Sequence, residues 1–284
     1  MPPQFSQHHS QQPQSSLPAH PEVITRLRRA GCVFAEEEAE LIATTARTPD
    51  ELRSLVERRV AGAPLEHVLG WVRFRDLRLT VEPGVFVPRP RSEFHVEQAL
   101  ALTEPGAVVL DLCCGTGALG AALATERAGV ELHAADIDAA GVRCARHNLA
   151  PLGGEVYQGD LFTPLPDSLR GRVDVMVANA PYVPTREITL LPSEARDHEP
   201  WLSLDGGSDG LDVVRRVAGQ ARPWLAPGGH LLVQTHPDQV AEALAAFIRG
   251  GLDAHAVVDE EDHTSVVVGR RPDPIDPKNT RVGP

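Results

Sequence analysis

From Val108 onward the apolar residues come in short unbroken runs rather than in alternation. Val108–Leu112, Val130–Asp136, Val156–Gln158, Val173–Ala178 and His230–Thr235 are such runs, and helical segments beginning near Thr116, Asp138, Asp209 and Pro237 separate most of them. A strand with one wet face would alternate polar and apolar positions. Continuous apolar strands followed by amphipathic helices predict instead a parallel sheet covered on both faces. The last two runs, Ala254–Val258 and Thr264–Gly269, are split only by 259–263. That separation is too short for a helical crossover, so these two strands are expected to be antiparallel. The predicted class is α/β, with a mostly parallel seven-stranded sheet and one antiparallel strand.

The first third of the chain has a different rhythm. Thr48-Pro49-Asp50-Glu51 combines an N-cap, a proline at the first helical position and a capping-box glutamate. Leu52, Leu55, Val56 and Val60 then recur on one helical face, and Gly62 stops the helix. With helical stretches near 23–29 and 36–46, residues 21–68 form a small helical domain, open to either substrate docking or plain packing support. Trp71, Phe74, Leu77, Leu79 and Val81, followed by Pro83-Gly84, suggest a β-hairpin linker over 69–85. The main domain is then 86–270. Residues 1–20, rich in Gln, Ser, Pro and His, and 271–284, rich in Pro and charge, have little to bury and are expected to be disordered tails.

The formal net charge of −12 shifts the expected partner toward proteins and small molecules, because nucleic-acid affinity rests on basic surface. No apolar stretch is long enough to cross a bilayer, and the N-terminus lacks the pattern of a secretory signal, so a cytoplasmic protein is expected. Cys32, Cys113, Cys114 and Cys144 match no zinc spacing and are expected to be reduced, semi-buried side chains. No metal is expected.

Candidate chemistry gathers at the carboxyl ends of the strands, where open α/β sheets bind ligands. Asp111-Leu112-Cys113-Cys114-Gly115-Thr116-Gly117 runs from a buried strand into a glycine turn, and the glycines admit close backbone approach. Asp136 ends the second strand and can accept ribose hydroxyls. Asp160 and Leu161 follow the third, placed to meet the edge and face of an adenine. A dinucleotide site would want a third glycine and an open helix start for its pyrophosphate. Three aspartates suit a cation better, and the sulfonium and ammonium of S-adenosylmethionine are positive. That compound is the expected cofactor.

The fourth strand ends in Asn179-Ala180-Pro181-Tyr182. An amide nitrogen is a poor nucleophile because its lone pair is delocalised; it must be oriented, with both N–H groups held by acceptors. Asn179 offers a side-chain carbonyl and Ala180 a backbone one. Pro181 biases Ala180 toward an extended conformation, and Tyr182 offers a flat face for a planar group.

This tetrapeptide resembles the Asn-Pro-Pro-Tyr motif of amino-nitrogen methyltransferases. Pro64-Leu65-Glu66-His67-Val68-Leu69-Gly70 with Phe74, Phe86-Val87-Pro88-Arg89-Pro90 with Glu93, Glu199-Pro200 and Asp205-Gly206-Gly207-Ser208-Asp209-Gly210-Leu211 resemble, in order, the HemK/PrmC-type protein-(glutamine-N5) methyltransferases. The resemblance spans about 64–269. It implies a Rossmann-like class I S-adenosylmethionine-dependent methyltransferase that modifies a glutamine in a translation protein, usually a peptide-chain release factor. Cys113 through Gly117, Asp136, Leu161 and Asn179 would then line the cofactor. Asn179, Ala180, Pro181 and Tyr182 would hold the glutamine, and Phe86, Pro88, Arg89 and Pro90 would shape the pocket entrance. Three departures stand out: Cys113 replaces a glycine, Ala180 replaces the first proline, and Arg91 stands where the family usually has an acidic residue. Two other functions share these motifs, an exocyclic-amine methyltransferase acting on nucleic acid and a cofactor-binding scaffold without activity.

Overall fold

In the computed structural model the described residues are 21–261 and 263–273. The expected tail at 1–20, and residues 274–284 of the one expected at 271–284, lie outside them. The chain divides into two compact units at Leu69/Gly70.

The first unit contains α1 (Pro21–Arg29), α2 (Ala35–Thr45), α3 (Pro49–Val60) and α4 (Leu65–Leu69). The cap predicted for α3 forms: Glu51 N–H donates to Thr48 Oγ1 at 3.1 Å, while Glu51 Oε2 accepts Arg47 N–H at 2.8 Å. Leu52, Leu55 and Val56 are buried as the periodicity requires, but Val60, in the last turn, is 37% exposed. The unit also buries an ion pair, Arg59 donating to both carboxylate oxygens of Glu38 at 2.6 and 3.1 Å. Helix α4 is five residues long, too short for a periodic signature in the sequence.

The second unit opens with a hairpin of β1 (Trp71–Phe74) and β2 (Leu77–Thr80). Its turn is Arg75-Asp76, with Arg75 at φ 50°, and Pro83-Gly84 lies beyond the second strand. The turn lacks the glycine or asparagine that announces such a conformation. There follow α5 (Ser92–Leu100), β3 (Val108–Leu112), α6 (Ala118–Glu126), β4 (Glu131–Asp136), α7 (Ala139–Leu149), β5 (Glu155–Gln158) and β6 (Val173–Ala178). Next come α8 (Ser193–His198), α9 (Trp201–Leu204), α10 (Asp212–Ala221), β7 (Leu225–Thr235), α11 (Val240–Arg249), β8 (Asp253–Asp259) and β9 (Thr264–Arg270).

Among the described residues seven strands form one sheet in the order β5-β4-β3-β6-β7-β9-β8. All pairings are parallel except those of β9, which runs antiparallel to both β7 and β8. The last strand of the chain therefore slots inside the sheet and leaves β8 at the edge. Strand β7 begins five residues before the predicted His230, because a register irregularity opposite Val173–Val175 absorbs Pro227-Gly228-Gly229. Arg270 ends β9, and Arg271, the first residue of the expected tail, still pairs its backbone with Gly228 and Gly229 of β7. Strands β3 and β6 are buried along nearly their whole length, and apolar cores cover each face of the sheet. That burial is what fixes the carboxyl ends of β3, β4 and β6 beside one another.

Candidate active site

A cleft of about 1070 Å³ opens at those strand ends. It is lined by Asp111, Cys113, Cys114, Gly115, Thr116, Asp136, Asp160, Leu161 and Asn179, and also by Phe86, Pro88 and Pro181. A second cleft, of about 1160 Å³, is lined by Phe86, Arg89, Pro90, Arg91, Asn179, Pro181 and Tyr182, and also by apolar Val183, Leu191 and Leu204. Phe86, Asn179, Pro181 and Ser203 belong to both. Two of the predicted residues line neither. Gly117 is the N-cap of α6 at φ 77°, where a Cβ would press on Leu149 at 3.0 Å. Ala180 is buried, at 1% exposed, and its methyl side chain carries no polar group.

The turn after β3 is held from β4. Asp136 Oδ2 accepts Gly115 N–H at 2.7 Å and Oδ1 accepts Asp138 N–H at 2.8 Å, while Asp138 caps α7 through Ala140 and Gly141. The Asp136 carboxylate keeps accepting capacity for a ligand hydroxyl. Asp111 is 1% exposed and accepts Gly120 N–H at 2.9 Å. Burial pushes its carboxyl up to about 7, against the pull of that hydrogen bond, with Asp136 adding to the rise. Burial raises the Asp136 carboxyl as well. The Cys113 thiol is driven far up, first by burial and then by Asp136, Asp111 and Asp160, so it stays protonated and is no nucleophile.

Two residues on this cleft hold left-handed backbones without being glycine, Cys113 at φ 54° and Leu161 at φ 49°. Such strain persists only where the surroundings over-determine it, and it concentrates at ligand sites. Thr116 Oγ1 is buried at the same cleft without a hydrogen-bond partner in the protein. An unpartnered hydroxyl, three carboxylates and an apolar Leu161 wall fit S-adenosylmethionine, which brings polar groups, positive charge and an adenine ring. Among the described residues no group of three or more His, Cys, Asp or Glu side chains is placed to hold a metal.

The 179–182 segment is braced by its neighbours. Tyr182 C=O accepts Gln239 Nε2–H at 2.9 Å, and Val183 exchanges backbone bonds with Leu204 and Gly206 at 3.1 and 2.9 Å. Gly210, at φ 81°, lies so close to the Tyr182 carbonyl that a Cβ would collide with it. The 205–211 segment singled out in the sequence is thus a brace for the strand end. At the strand end itself, neither the Asn179 side chain nor the backbone of Ala180 makes a hydrogen bond to the protein among the described residues. The hydrogen-bonding capacity of both is left unspent by the protein.

The sequence missed several residues here. Arg216 of α10 lines the first cleft and pairs with Asp160 at 2.5 Å, and no local pattern announces it. Glu199, seen only as part of a motif, has a fully buried side chain whose Oε1 accepts Val87 N–H at 3.2 Å and the Arg89 guanidinium at 2.5 Å. Arg89 in turn lies 5.2 Å above the Phe86 ring. One ion pair across 110 residues of sequence therefore ties the 86–90 wall to the 199–204 wall.

Residues 78–191 match the family model described as methyltransferase small domain. Among solved structures, a methyltransferase from Pyrococcus furiosus superposes with a TM-score of 0.54 at 16% identity, over 78% of this chain and 98% of that one, which is a likeness of fold. A 4-amino-L-phenylalanine/4-methylamino-L-phenylalanine methyltransferase from Streptomyces pristinaespiralis is 34% identical, with 73% of each chain covered. The release factor glutamine methyltransferase of Streptomyces coelicolor is 39% identical over 208 residues, covering 70% of this chain and 73% of its own. With that identity and coverage, the chain belongs to the release factor glutamine methyltransferase family.

Proposed function

We propose that this protein transfers the methyl group of S-adenosylmethionine to the side-chain amide nitrogen, N5, of a glutamine in a peptide-chain release factor, in the cytoplasm. The observation that carries this reading is the sharing of Asn179 and Pro181 by both clefts, which puts the end of β6 where donor and acceptor would meet. The bound donor supplies an electrophilic methyl on a sulfonium, and the chain supplies everything else. Asp111, Asp136 and Asp160 face the donor's cleft with acidic side chains that favour a cation. Asn179 Oδ1 accepts one N–H of the glutamine amide and the Ala180 carbonyl accepts the other, so the amide plane is fixed and its lone pair aimed. Tyr182 lies against the face of that plane. No base is needed before transfer, because the charge that develops on nitrogen makes its proton leave afterwards.

Incubation with tritiated S-adenosylmethionine and purified release factor, RNA or 4-amino-L-phenylalanine tests this. Label is expected in the release factor and should vanish when its motif glutamine is changed to alanine. Label confined to RNA or to the free aromatic amine would overturn the reading. Asn179→Ala should lower kcat by about 10²-fold, the usual cost of a lost oriented acceptor or donor, while circular dichroism stays unchanged.

A further inference from the structure

Four aspartates line the first cleft, Asp138 at the start of α7 included, and they are not held alike. Asp136 and Asp138 each accept two backbone N–H groups, and Asp111 accepts one. The Asp160 side chain accepts none among the described residues. Its one hydrogen bond there comes from a side chain 56 residues further on, Arg216 Nη2 donating to Oδ2 at 2.5 Å, and Oδ1 is left without a donor. Arg216 stands on firm ground. Asp212 N–H, at the start of α10, donates to the Gly206 carbonyl at 2.8 Å, and Val214, Val217 and Ala218 of that helix are fully buried. The root of the arginine is therefore fixed, while its head and the Asp160 carboxylate stay 49% and 46% exposed. A pair so wet adds little to folding stability, yet it lies on the cleft and orients a carboxylate that no backbone group holds. The next residue, Leu161, lines the same cleft with an apolar side chain at φ 49°. An apolar surface and an open carboxylate oxygen, one residue apart, suit a flat ring with an N–H donor on its edge.

We propose that Arg216 is a positioning residue for base recognition: by occupying one oxygen of Asp160 it orients the other to accept the exocyclic N–H of the donor's adenine, and so makes the enzyme select a 6-amino purine. The inference rests on the first cleft binding S-adenosylmethionine, as read above, and adds the residue that sets selectivity for the base. Arg216 acts through Asp160 and has no part in the methyl transfer itself. The contact forms in the ground state and persists through transfer, so it acts on the donor's KM more than on kcat.

The test titrates the full-length protein with S-adenosylhomocysteine and with its purine counterpart, which lacks only the 6-amino group, and reads selectivity as the ratio of the two Kd values. Wild type should prefer the adenine ligand by about tenfold, the worth of one hydrogen bond to a charged acceptor. Arg216→Met keeps the aliphatic stem and removes the guanidinium. Its ratio should fall to about threefold, mostly through weaker binding of the adenine ligand. Arg216→Lys replaces the planar fork with a point charge and should give an intermediate ratio, which keeps the test decisive if the methionine variant folds poorly. In an Asp160→Ala background, Arg216→Met should change the ratio no further, as expected of a residue that works through that side chain. An arginine that only supports the fold would weaken both ligands alike. An undiminished ratio in Arg216→Met and Arg216→Lys, equal Kd values in wild type, or a further drop in the Asp160→Ala background overturns the inference and leaves the donor site standing. Failure of wild type to bind S-adenosylhomocysteine at all overturns both.

Discussion

Replacing Asp111 with asparagine tests the electrostatics of the proposed donor cleft in a way that separates stability from binding. In the folded protein the Asp111 carboxyl is buried and titrates near 7, against an ordinary value of 3.8. The folded state thus holds a proton that the unfolded chain has already lost between those two values. Stability from this group is complete below about 3.8 and falls as pH rises toward 7, by 1.36 kcal/mol per pH unit. The total loss is on the order of 4 kcal/mol, of which on the order of 3 kcal/mol falls between pH 5 and pH 8. Asparagine keeps the acceptor oxygen for Gly120 N–H and cannot ionise. Asp111→Asn should therefore stabilise the ligand-free protein at pH 8 far more than at pH 5.

A cationic donor reverses the preference, because the charged carboxylate is then the favoured form. Binding of S-adenosylmethionine should expel the proton, so its Kd at pH 6 should be about tenfold weaker than at pH 8. The variant should bind more weakly at pH 8 and lose this pH dependence. Urea denaturation from pH 5 to pH 8 measures the first effect, and titration calorimetry in two buffers of different ionisation enthalpy counts the proton. A wild-type-to-variant stability gap that is the same at both pH values, together with donor binding that releases no proton, would refute the reasoning.

Three further substitutions probe the rest of the site. Glu199→Gln leaves Arg89 without its charge partner and should cost about 2 kcal/mol, less than a fully buried pair because Arg89 is partly exposed; thermal denaturation reads this, and KM for the release factor should rise more than the donor's Kd. Cys113→Gly releases a left-handed backbone and should stabilise by about 0.5–1 kcal/mol after glycine's own entropy cost; a lower Tm would show that the thiol's packing outweighs the strain. Ala180→Pro removes an N–H that bonds to nothing in the protein, so Tm should rise by a few degrees with kcat maintained; a collapse of kcat in single-turnover measurements would mean that the freedom of Ala180 is needed.

What the sequence revealed depended on how local the cause was. Strand ends at Leu112, Asp136 and Ala178 were legible because burial on both faces demands unbroken apolar runs, and the α3 cap because Thr48 and Glu51 are three residues apart. The turn at Arg75-Asp76 was not, since its left-handed residue is an arginine imposed by strand register. The slot taken by β9 could not be read either, because pairing order depends on where the α11 crossover lands. At the site, Asp111, Asp136 and Asn179 were legible as polar residues at the ends of apolar strands. Arg216 opposite Asp160, Gln239 behind Tyr182 and Glu199 beneath Arg89 were not, each pair being more than 50 residues apart. Their side chains meet only because the sheet brings distant loops to one edge.

Those long-range partners have a common logic. The first cleft contains a buried carboxylate that folding alone would protonate, and two side chains at left-handed φ. Each is a local cost of about 1–4 kcal/mol that only the ligand or the surrounding packing offsets. The compensating bonds lie just outside: Asp136 and Asp138 onto the Gly115 turn and α7, Gln239 and Gly210 onto Tyr182, Glu199 onto Val87 and Arg89. None of these braces draws on the Asn179 side chain or the Ala180 carbonyl. The segment is thus rigid in backbone and unspent in hydrogen-bonding capacity, the combination that orienting an unreactive amide requires.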